Sequence, residues 1–170
     1  MGDPFDDGVR PAGSQRPVVD TPRLRVRRLH ERATLPAYAH PGDAGLDLTT
    51  VERLEIGPGQ RVAAPTGLAV AVPDGWVGLV HPRSGLARRH GLTVANAPGT
   101  VDAGYRGEVQ VLLINLGDET VCLAVGDRVA QLLLQPVGHA VVTEVEELEE
   151  TARGEGGFGS TGMGASTARG

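Results

Sequence analysis

Residues 61–81 read RVAAPTGLAVAVPDGWVGLVH, and this stretch decides the fold class. It contains three short apolar runs, at Arg61–Ala64, Gly67–Val72 and Trp76–His81, which Gly, Pro and Asp residues separate. Val-rich runs of this length, divided by turn residues, are typical of β-strands. The stretch therefore predicts three consecutive strands.

The same pattern continues in both directions from this stretch. The further predicted strands are Leu24–Leu29, Gly45–Leu48, Val51–Ile56, Leu92–Ala95, Val109–Leu116, Thr120–Ala124, Val129–Gln135 and Val141–Val145. Only Ser84–Arg89 indicates a helix, of one short turn. Many short strands with Gly/Pro turns predict an all-β sandwich, jelly roll or barrel.

The two ends of the chain lack this pattern. Residues 1–22 are polar, rich in Gly and Pro and without periodicity, which predicts a disordered N-terminal extension. Residues 23–150 form the predicted β-barrel domain. Residues 151–170 are dense in glycine and cannot bury enough apolar surface to offset the entropy cost of ordering. We therefore expect a flexible C-terminal arm.

Composition excludes several classes of function. The formal net charge is -5, and all 16 basic residues are Arg. No basic block suits a nucleic-acid backbone, whereas isolated Arg side chains bind phosphate oxygens in pairs. These features favour a small phosphorylated ligand over nucleic acid.

Other residue types limit location and metal content. The single cysteine, Cys122, excludes an intrachain disulfide and a multi-thiolate zinc site, and the five histidines lack metal-ligand spacing. The N-terminus does not resemble a signal peptide, and no stretch of 18 apolar residues predicts a membrane span. We therefore expect a cytoplasmic protein that does not enter a membrane.

Two nucleotide-binding motifs can be set aside. Residues 154–159 match G-x-G-x-x-G, but the Rossmann interpretation needs a strand before the glycines and a helix after them. A Walker loop needs a lysine to reach the phosphates, and the sequence contains none. Glycines near Arg153 could still bring backbone N–H groups close to an anion.

Five segments, in order along the chain, resemble the five motifs of the dUTP pyrophosphatase family. They are AGLDL at 44–48, PRSGLA at 82–87, NAPGTVDAGYRGEV at 96–109, GDRVAQL at 126–132 and RGEGGFGSTG at 153–162. The third is long and specific, and the resemblance extends from about Leu24 to Gly162. The Ala- and Arg-rich, Lys-free composition is typical of a high-GC bacterium, such as an actinobacterium.

The resemblance implies a fold, an assembly and a reaction. The fold would be a jelly-roll-like β-barrel, assembled as a homotrimer whose swapped C-terminal arms close active sites built by several subunits. The reaction would be hydrolysis of dUTP to dUMP and pyrophosphate, by water attack on the α-phosphorus. It would supply dUMP for thymidylate synthesis and keep uracil out of DNA. The cofactor would be Mg²⁺, bound mainly through the triphosphate.

The third motif supplies the residues that the resemblance assigns to the nucleoside. Asp102 would orient and deprotonate the attacking water, although an Asp between glycines can also simply form a turn. Tyr105 would pack under deoxyribose and exclude a 2′-hydroxyl, unless it is a core aromatic. Uracil would be read by Asn96 and the backbone that includes Gly99, Thr100 and Val101, with Gln110 close to the pocket.

The first, second and fourth motifs supply the residues for the phosphates. Arg83, Ser84 and Gly85 would form a phosphate-binding turn, and Gln131 would contact the phosphates from the barrel wall. Asp47 would reach the metal through water, with no direct protein ligand, unless it simply pairs with Arg83 or Arg128. Asp127 is expected to pair with an arginine and serve the structure.

In the fifth motif, the resemblance assigns Arg153 to the terminal phosphate. Phe158 would stack on uracil, and Gly159, Ser160 and Thr161 would complete the γ-phosphate site.

Three alternatives remain at this point. A dCTP deaminase shares the fold but needs a carboxylate on the strand after the Asp-containing loop, and Val109–Ile114 carries none. A bifunctional deaminase–pyrophosphatase has the same requirement. A catalytically inactive β-scaffold is the non-enzymatic alternative, against which the intact motifs argue.

Overall fold

A computed structural model describes residues 21–151 and residue 154. The predicted disordered extension therefore lies almost wholly outside the described residues, as do Arg153, Phe158, Gly159, Ser160 and Thr161 of the predicted arm. The chain divides into two units, Met1–Gly138 and His139–Gly170. Each unit is described separately below.

The first unit contains ten strands and one short helix within the part that the structure describes. They are β1 (Arg25–Arg28), β2 (Leu46–Thr49), β3 (Leu54–Ile56), β4 (Arg61–Ala71), β5 (Trp76–His81), α1 (Ser84–His90), β6 (Leu92–Val94), β7 (Gly99–Val101), β8 (Glu108–Asn115), β9 (Val121–Leu123) and β10 (Arg128–Pro136). The prediction of an all-β, jelly-roll-like fold is confirmed.

The strands form three antiparallel sheets. One sheet has the order β1-β4-β8-β6, the second has the order β2-β10-β5-β7, and β3 pairs with β9. Neighbours in a sheet are often distant in sequence, as with β2 and β10. Such long-range pairing brings motifs from separate parts of the chain to the same edge.

Alternation of buried and exposed positions explains how one core joins these sheets. In β8, Val109, Val111, Leu113 and Asn115 are buried, while the residues between them face outward. Successive side chains of a strand point to opposite faces, so β8 contributes one face to the core. Leu48 of β2 and Leu132 of β10 are fully buried in the same hydrophobic cluster.

Strand β4 differs from its prediction, because the strands predicted at Arg61–Ala64 and Gly67–Val72 form one continuous strand, which ends at Ala71. Its pairing with β8 shifts between Pro65 and Ala69, where Gly67 has a positive φ of 65°. Glycine adopts that conformation without a Cβ penalty. The turn-forming residues therefore make an irregularity inside a continuous strand.

Helix α1 ends at a close approach of two backbones. Gly91, at its C-terminus, has φ 65° and donates from its N–H to the carbonyl of Ala87. A Cβ at Gly91 would lie 2.8 Å from Cα of Gly117. The left-handed turn and the lack of a side chain together allow the helix to join β6 beside this loop.

The described residues of the second unit, 139–151 and 154, contain no helix or strand. Val141, Val142 and Leu148 are more than 80% exposed in the isolated chain. The strand predicted at Val141–Val145 is therefore wrong for one chain, because a strand needs hydrogen-bonding partners, which the described residues of this unit do not supply. A hydrogen bond of 3.0 Å from Gly154 N to Thr151 O closes a turn.

Candidate active site

The long third motif lines one open cavity, with a volume of about 160 Å³. β7 and the start of β8 bring together the residues that the sequence assigned to the nucleoside, apart from Phe158, which lies outside the described residues. The residues are Asn96, Gly99, Thr100, Val101, Asp102, Tyr105 and Gln110. Val80, Val94, Glu108, Val109 and Leu112 complete the lining, and sequence analysis gave none of these five a role.

The floor and rim of this cavity have different chemistry. Gly99 and Val101 are buried, whereas Asn96, Asp102 and Gln110 are exposed. The side chain of Asn96 lies beside Gly99, where a Cβ would come within 3.3 Å of Nδ2. The Ala97–Pro98 peptide bond in this turn is cis. A flat ring could therefore rest on apolar β7 while polar groups meet its edge.

Tyr105 belongs to this cavity and is not a core aromatic, since its side chain is 45% exposed. Its hydroxyl donates a 2.9 Å hydrogen bond to the carbonyl of Glu108. A Cβ at Gly107 would lie 2.7 Å from Cζ of Tyr105, so the ring packs against a position that must lack a side chain. The ring therefore has a fixed place in the wall.

Asp102 stands at the turn between β7 and β8. Its carbonyl accepts a 3.0 Å bond from the N–H of Tyr105, as in a turn. Its side chain is exposed and lines the cavity. The backbone of Asp102 thus forms the turn, which leaves the carboxylate directed to substrate and solvent.

A second open cavity, of about 510 Å³, collects the residues that the first, second and fourth motifs assigned to the phosphates. Asp47, Arg83, Ser84, Gly85 and Gln131 all line it. The pairing of β10 with β2 and β5 explains this convergence, because Gln131 lies opposite Asp47 on one side and His81 on the other. Three motifs that are far apart in sequence therefore meet at adjacent strand ends.

Asp47 organises the arginines of this cavity. One carboxylate oxygen forms an ion pair with Nε of Arg83 at 3.3 Å, and the other accepts a 3.2 Å hydrogen bond from a guanidinium nitrogen of Arg128. The Arg83 guanidinium also donates to the carbonyl of Arg128, at 3.4 Å. With 18% of its side chain exposed, Asp47 holds two cations at the cavity wall.

Asp127 has a different role from the one predicted. Its carboxylate accepts a 2.8 Å hydrogen bond from the N–H of Ala124, in the turn before β10. The expected pairing with an arginine is therefore wrong for Asp127, whereas Asp47 does pair. A turn-capping carboxylate satisfies a backbone donor where the chain reverses.

The short helix α1 places Ser84 and Gly85 in the same cavity. Arg83 precedes the helix with extended backbone, and its carbonyl accepts from Leu86 and Ala87. First-turn N–H groups have no acceptor within a helix, which makes them available to an anion. Gln131 is positioned nearby by a 3.1 Å bond from its amide to the carbonyl of Pro82.

The sequence analysis gave no phosphate-binding role to four ionisable residues that line the second cavity. They are His40, Asp43, Arg89 and Arg128. Arg128 lies inside the fourth motif and carries a charge suited to phosphate, so a phosphate-binding role could have been predicted for it from the sequence. The other three lie in a loop or at the end of α1, where nothing local marks them.

Within the described residues, the carboxylates of the second cavity are engaged by other groups of the protein and do not form a set of direct metal ligands. Among the described residues, no group of three or more His, Cys, Asp or Glu side chains could hold a metal. The carboxylate of Asp47 is engaged by two guanidinium groups, and Asp43 accepts a 2.8 Å bond from the N–H of His40. Magnesium often retains water and binds chiefly to substrate phosphates.

The two cavities share no lining residue. A family model described as dUTPase matches residues 31–162, which contain both cavities. The chain belongs to the dUTPase family. This assignment confirms the family resemblance found in the sequence.

Relatives within the dUTPase family are close in sequence. The chain is 58% identical over 147 residues to the deoxyuridine 5'-triphosphate nucleotidohydrolase of Thermobifida fusca, covering 86% of this chain and 82% of the relative. It is 55% identical over 138 residues to the Streptomyces avermitilis protein of the same name, covering 81% and 79%. The bacterial, actinobacterial-like character inferred from composition is thus confirmed.

Solved dUTPase structures are also similar to the chain. The dUTPase of Staphylococcus bacteriophage 80alpha with dUpNHpp has a TM-score of 0.79 and 29% identity, covering 84% of this chain and 99% of that one. A mutant dUTPase from phage phi11 of S. aureus has a TM-score of 0.71 and 28% identity, covering 75% and 99%. The latter structure describes the coordination of a structural Mg(II) ion.

Proposed function

We propose that this protein hydrolyses dUTP to dUMP and pyrophosphate, by water attack on the α-phosphorus. The observation that carries the proposal is the pair of cavities in a dUTPase-family chain. One is lined by Asp102 and Tyr105 from the third motif, and the other is lined by arginines, Ser84 and Gly85. In a cell, this reaction would supply dUMP for thymidylate synthesis and keep uracil out of DNA.

Base recognition follows from the shape and polarity of the first cavity. Asn96 and the backbone from Ala97 to Val101 would meet the edge of uracil, while the buried β7 residues contact its face. Cytosine reverses the donor and acceptor order at two positions, and each unpaired buried group costs about 1–3 kcal/mol. The methyl group of thymine would be excluded by shape.

In the proposed reaction, Asp102 accepts a proton from the attacking water. Its side chain is exposed in the nucleoside cavity and takes no part in the turn that its backbone forms. A carboxylate is a weak base for water, so positioning and charge neutralisation supply the larger share of the acceleration. Tyr105 would lie under the deoxyribose and exclude a 2′-hydroxyl.

Charge neutralisation falls to the second cavity. Arg83, Ser84, Gly85 and Gln131 would hold the phosphates, with the hydroxyl of Ser84 beside the bridge where negative charge develops. Mg²⁺ bound by the triphosphate would neutralise further charge, and Asp47 would reach it through water. Arg153, Phe158, Gly159, Ser160 and Thr161 would close the site as an arm, in the roles expected from the fifth motif.

We also propose that the enzyme is a homotrimer, in which different subunits contribute the two cavities to one active site. The outward face of β8 carries Leu112 and Ile114, opposite Ala63 and Arg61 of β4. Such an apolar sheet face suits burial against another copy. Light scattering should give three times the chain mass of 17.7 kDa, whereas a monodisperse monomer would contradict this assembly.

No membrane partner is part of the proposal. No helix in the described part of the chain has the length and apolarity needed to cross a bilayer. A nucleotide substrate and the lack of a basic block favour a cytoplasmic enzyme that does not bind nucleic acid.

Deamination remains the alternative reaction for this fold, and the structure revises one argument about it. Strand β8 begins at Glu108, so the strand after the Asp102 loop does carry one carboxylate, contrary to the sequence reading of Val109–Ile114. That carboxylate accepts a 2.7 Å hydrogen bond from Gly67 N and another, of 3.3 Å, from Gln110. It is bound to the scaffold, which argues against a role as the deaminating base.

One assay separates the candidate functions. Purified protein with Mg²⁺ is incubated with dUTP and, separately, with dCTP, and both pyrophosphate and ammonia are measured. Pyrophosphate from dUTP without ammonia from dCTP is the expected result. Ammonia release would assign a deaminase or a bifunctional enzyme, and the absence of both products would assign a non-catalytic scaffold.

A further inference from the structure

The irregular pairing in β4 leaves a buried backbone donor that β8 must satisfy. Regular pairing between β4 and β8 stops at Pro65 and resumes at Ala69. Gly67 lies between them and is buried, and its N–H donates to Oε1 of Glu108 at 2.7 Å. A buried N–H without a partner is costly, and a bond to a carboxylate is stronger than one between neutral groups. Glu108 thus replaces a missing rung of the ladder.

A second side chain closes the same irregularity from the opposite strand. Thr66 is fully buried, and its hydroxyl donates to the carbonyl of Val109 at 2.6 Å. Leu29 N also donates to the carbonyl of Gly67, at 2.7 Å, which ties the irregularity to the residue after β1. The first two residues of β8 are therefore held to β4 by side-chain bonds. Their backbone positions are set by these bonds together with the pairing of Glu108 with Ala69.

The fixed end of β8 also holds the aromatic wall of the nucleoside cavity. The hydroxyl of Tyr105 donates to the carbonyl of Glu108, and its ring lies against Gly107. Tyr105 is 45% exposed, so core packing does little to hold the ring. These two contacts, with the neighbouring residues of the same hairpin, define where the ring stands.

We propose that Glu108 is a positioning residue for sugar selection, which acts by fixing the backbone carbonyl that anchors Tyr105. The proposal rests on the proposed function, in which Tyr105 excludes a 2′-hydroxyl. Steric exclusion depends steeply on distance, so a ring released from its anchor admits the larger sugar. Glu108 acts through Tyr105, because its two carboxylate oxygens are bonded to Gly67 N–H and to the amide of Gln110.

The experiment compares kcat/KM for dUTP and UTP in the parent enzyme and in three variants. Glu108→Ala removes the acceptor for Gly67 N–H, and Glu108→Gln retains a neutral one. Glu55→Ala is the matched control, because Glu55 is an exposed strand residue whose side chain makes no hydrogen bond within the described residues. Thermal unfolding of each variant is followed in parallel.

The expected result is a fall of about tenfold in the dUTP/UTP ratio for Glu108→Ala, the scale of one lost hydrogen bond. Glu108→Gln should recover most of the ratio, and Glu55→Ala should match the parent. An unchanged ratio in folded Glu108→Ala would overturn the proposal. If the dUTP/UTP ratio fell equally in Glu108→Gln, the role that we assign to the hydrogen bond between Glu108 and Gly67 would be overturned.

Tyr105→Phe gives a second measurement that does not depend on whether Glu108→Ala folds. It keeps the ring and removes only the bond to the Glu108 carbonyl, so the dUTP/UTP ratio should fall while the unfolding temperature stays near that of the parent. A parental ratio would overturn the proposal. If the parent itself releases no pyrophosphate from dUTP, the proposed function fails first, so the two failures are distinguishable.

Discussion

Asp47 and Arg83 form an ion pair of 3.3 Å across the mouth of the phosphate cavity, between the strand β2 and the residue before α1. Arg128 contacts the other oxygen of the same carboxylate, at 3.2 Å. One acidic side chain therefore sets the orientation of two guanidinium groups. In the proposed enzyme, both guanidinium groups would face the triphosphate at the same time.

Asp47→Asn should weaken substrate binding more than it weakens the fold. The amide keeps the shape but loses the charge that orients both arginines, so KM for dUTP should rise about tenfold, the scale of one charge-assisted hydrogen bond. Steady-state kinetics would measure this rise. Asp43→Asn is the matched control, because Asp43 lines the same cavity but contacts only the backbone of His40. Equal effects in the two variants would contradict the ordering role of Asp47.

Asp102→Asn should reduce turnover without loss of binding. The change is close to isosteric and the backbone turn is retained, so kcat should fall by about 10²–10⁴-fold while KM stays near that of the parent. Pyrophosphate release under saturating dUTP would measure kcat, and calorimetry with a non-hydrolysable analogue would measure affinity. Full activity in the purified variant would remove Asp102 from the role of base.

Asn115→Leu should destabilise the first unit. The amide of Asn115 is fully buried, donates to the carbonyls of Ile56 and Glu119 at 2.8 Å, and accepts from Gly117 N at 2.9 Å. Each buried group left unpaired costs about 1–3 kcal/mol, so the free energy of unfolding should fall clearly in a denaturant titration.

Glu55→Leu serves as the control for Asn115→Leu, since Glu55 is exposed on β3 and lines neither cavity. Surface changes of this kind usually shift stability by about 0.5 kcal/mol or less. A denaturation midpoint for Asn115→Leu equal to that of Glu55→Leu would show that the buried network carries little stability.

A chain that ends at Thr151 should fold and assemble but lose most of its turnover. The last strand of the described residues ends at Pro136, so the sheets do not need the removed residues. In the proposed enzyme, Phe158 would gain about 1–3 kcal/mol by stacking on the base. Ordering would cost about 1–2 kcal/mol of backbone entropy per residue. The circular dichroism spectrum of the truncated chain should therefore match that of the parent, while its kcat should be much lower. A truncated chain with the kcat of the parent would contradict closure of the site by the arm.

The sequence alone was sufficient to predict those strands and helices whose ends are marked by neighbouring residues. Trp76–His81 is observed with its predicted bounds, because a Val-rich run between Gly75 and Pro82 leaves little freedom in where the strand begins and ends. The helix Ser84–His90 is one residue longer than predicted. The site residues of the second and third motifs also come together, since each motif is a continuous loop that one hairpin or helix start positions.

Other features depend on partners that are distant in the chain. The continuity of β4 through Pro65 and Gly67 requires Glu108, 41 residues from Gly67. The choice between Asp47 and Asp127 as the partner of an arginine requires the register of β2 against β10. Val141–Val145 has the pattern of a strand but no partner strand among the described residues of its unit. Local residue types contain none of this information.

The separation of the two cavities has a genetic consequence. If different copies of the chain supply them, a gene product damaged only at Asp102 and another damaged only at Arg83 could each provide the half that the other lacks. Co-expression of two such inactive alleles would then restore part of the activity, about one quarter of the sites under random mixing of equal amounts. A damaged allele would be recessive or dominant according to how it assembles, and not only according to the residue it changes.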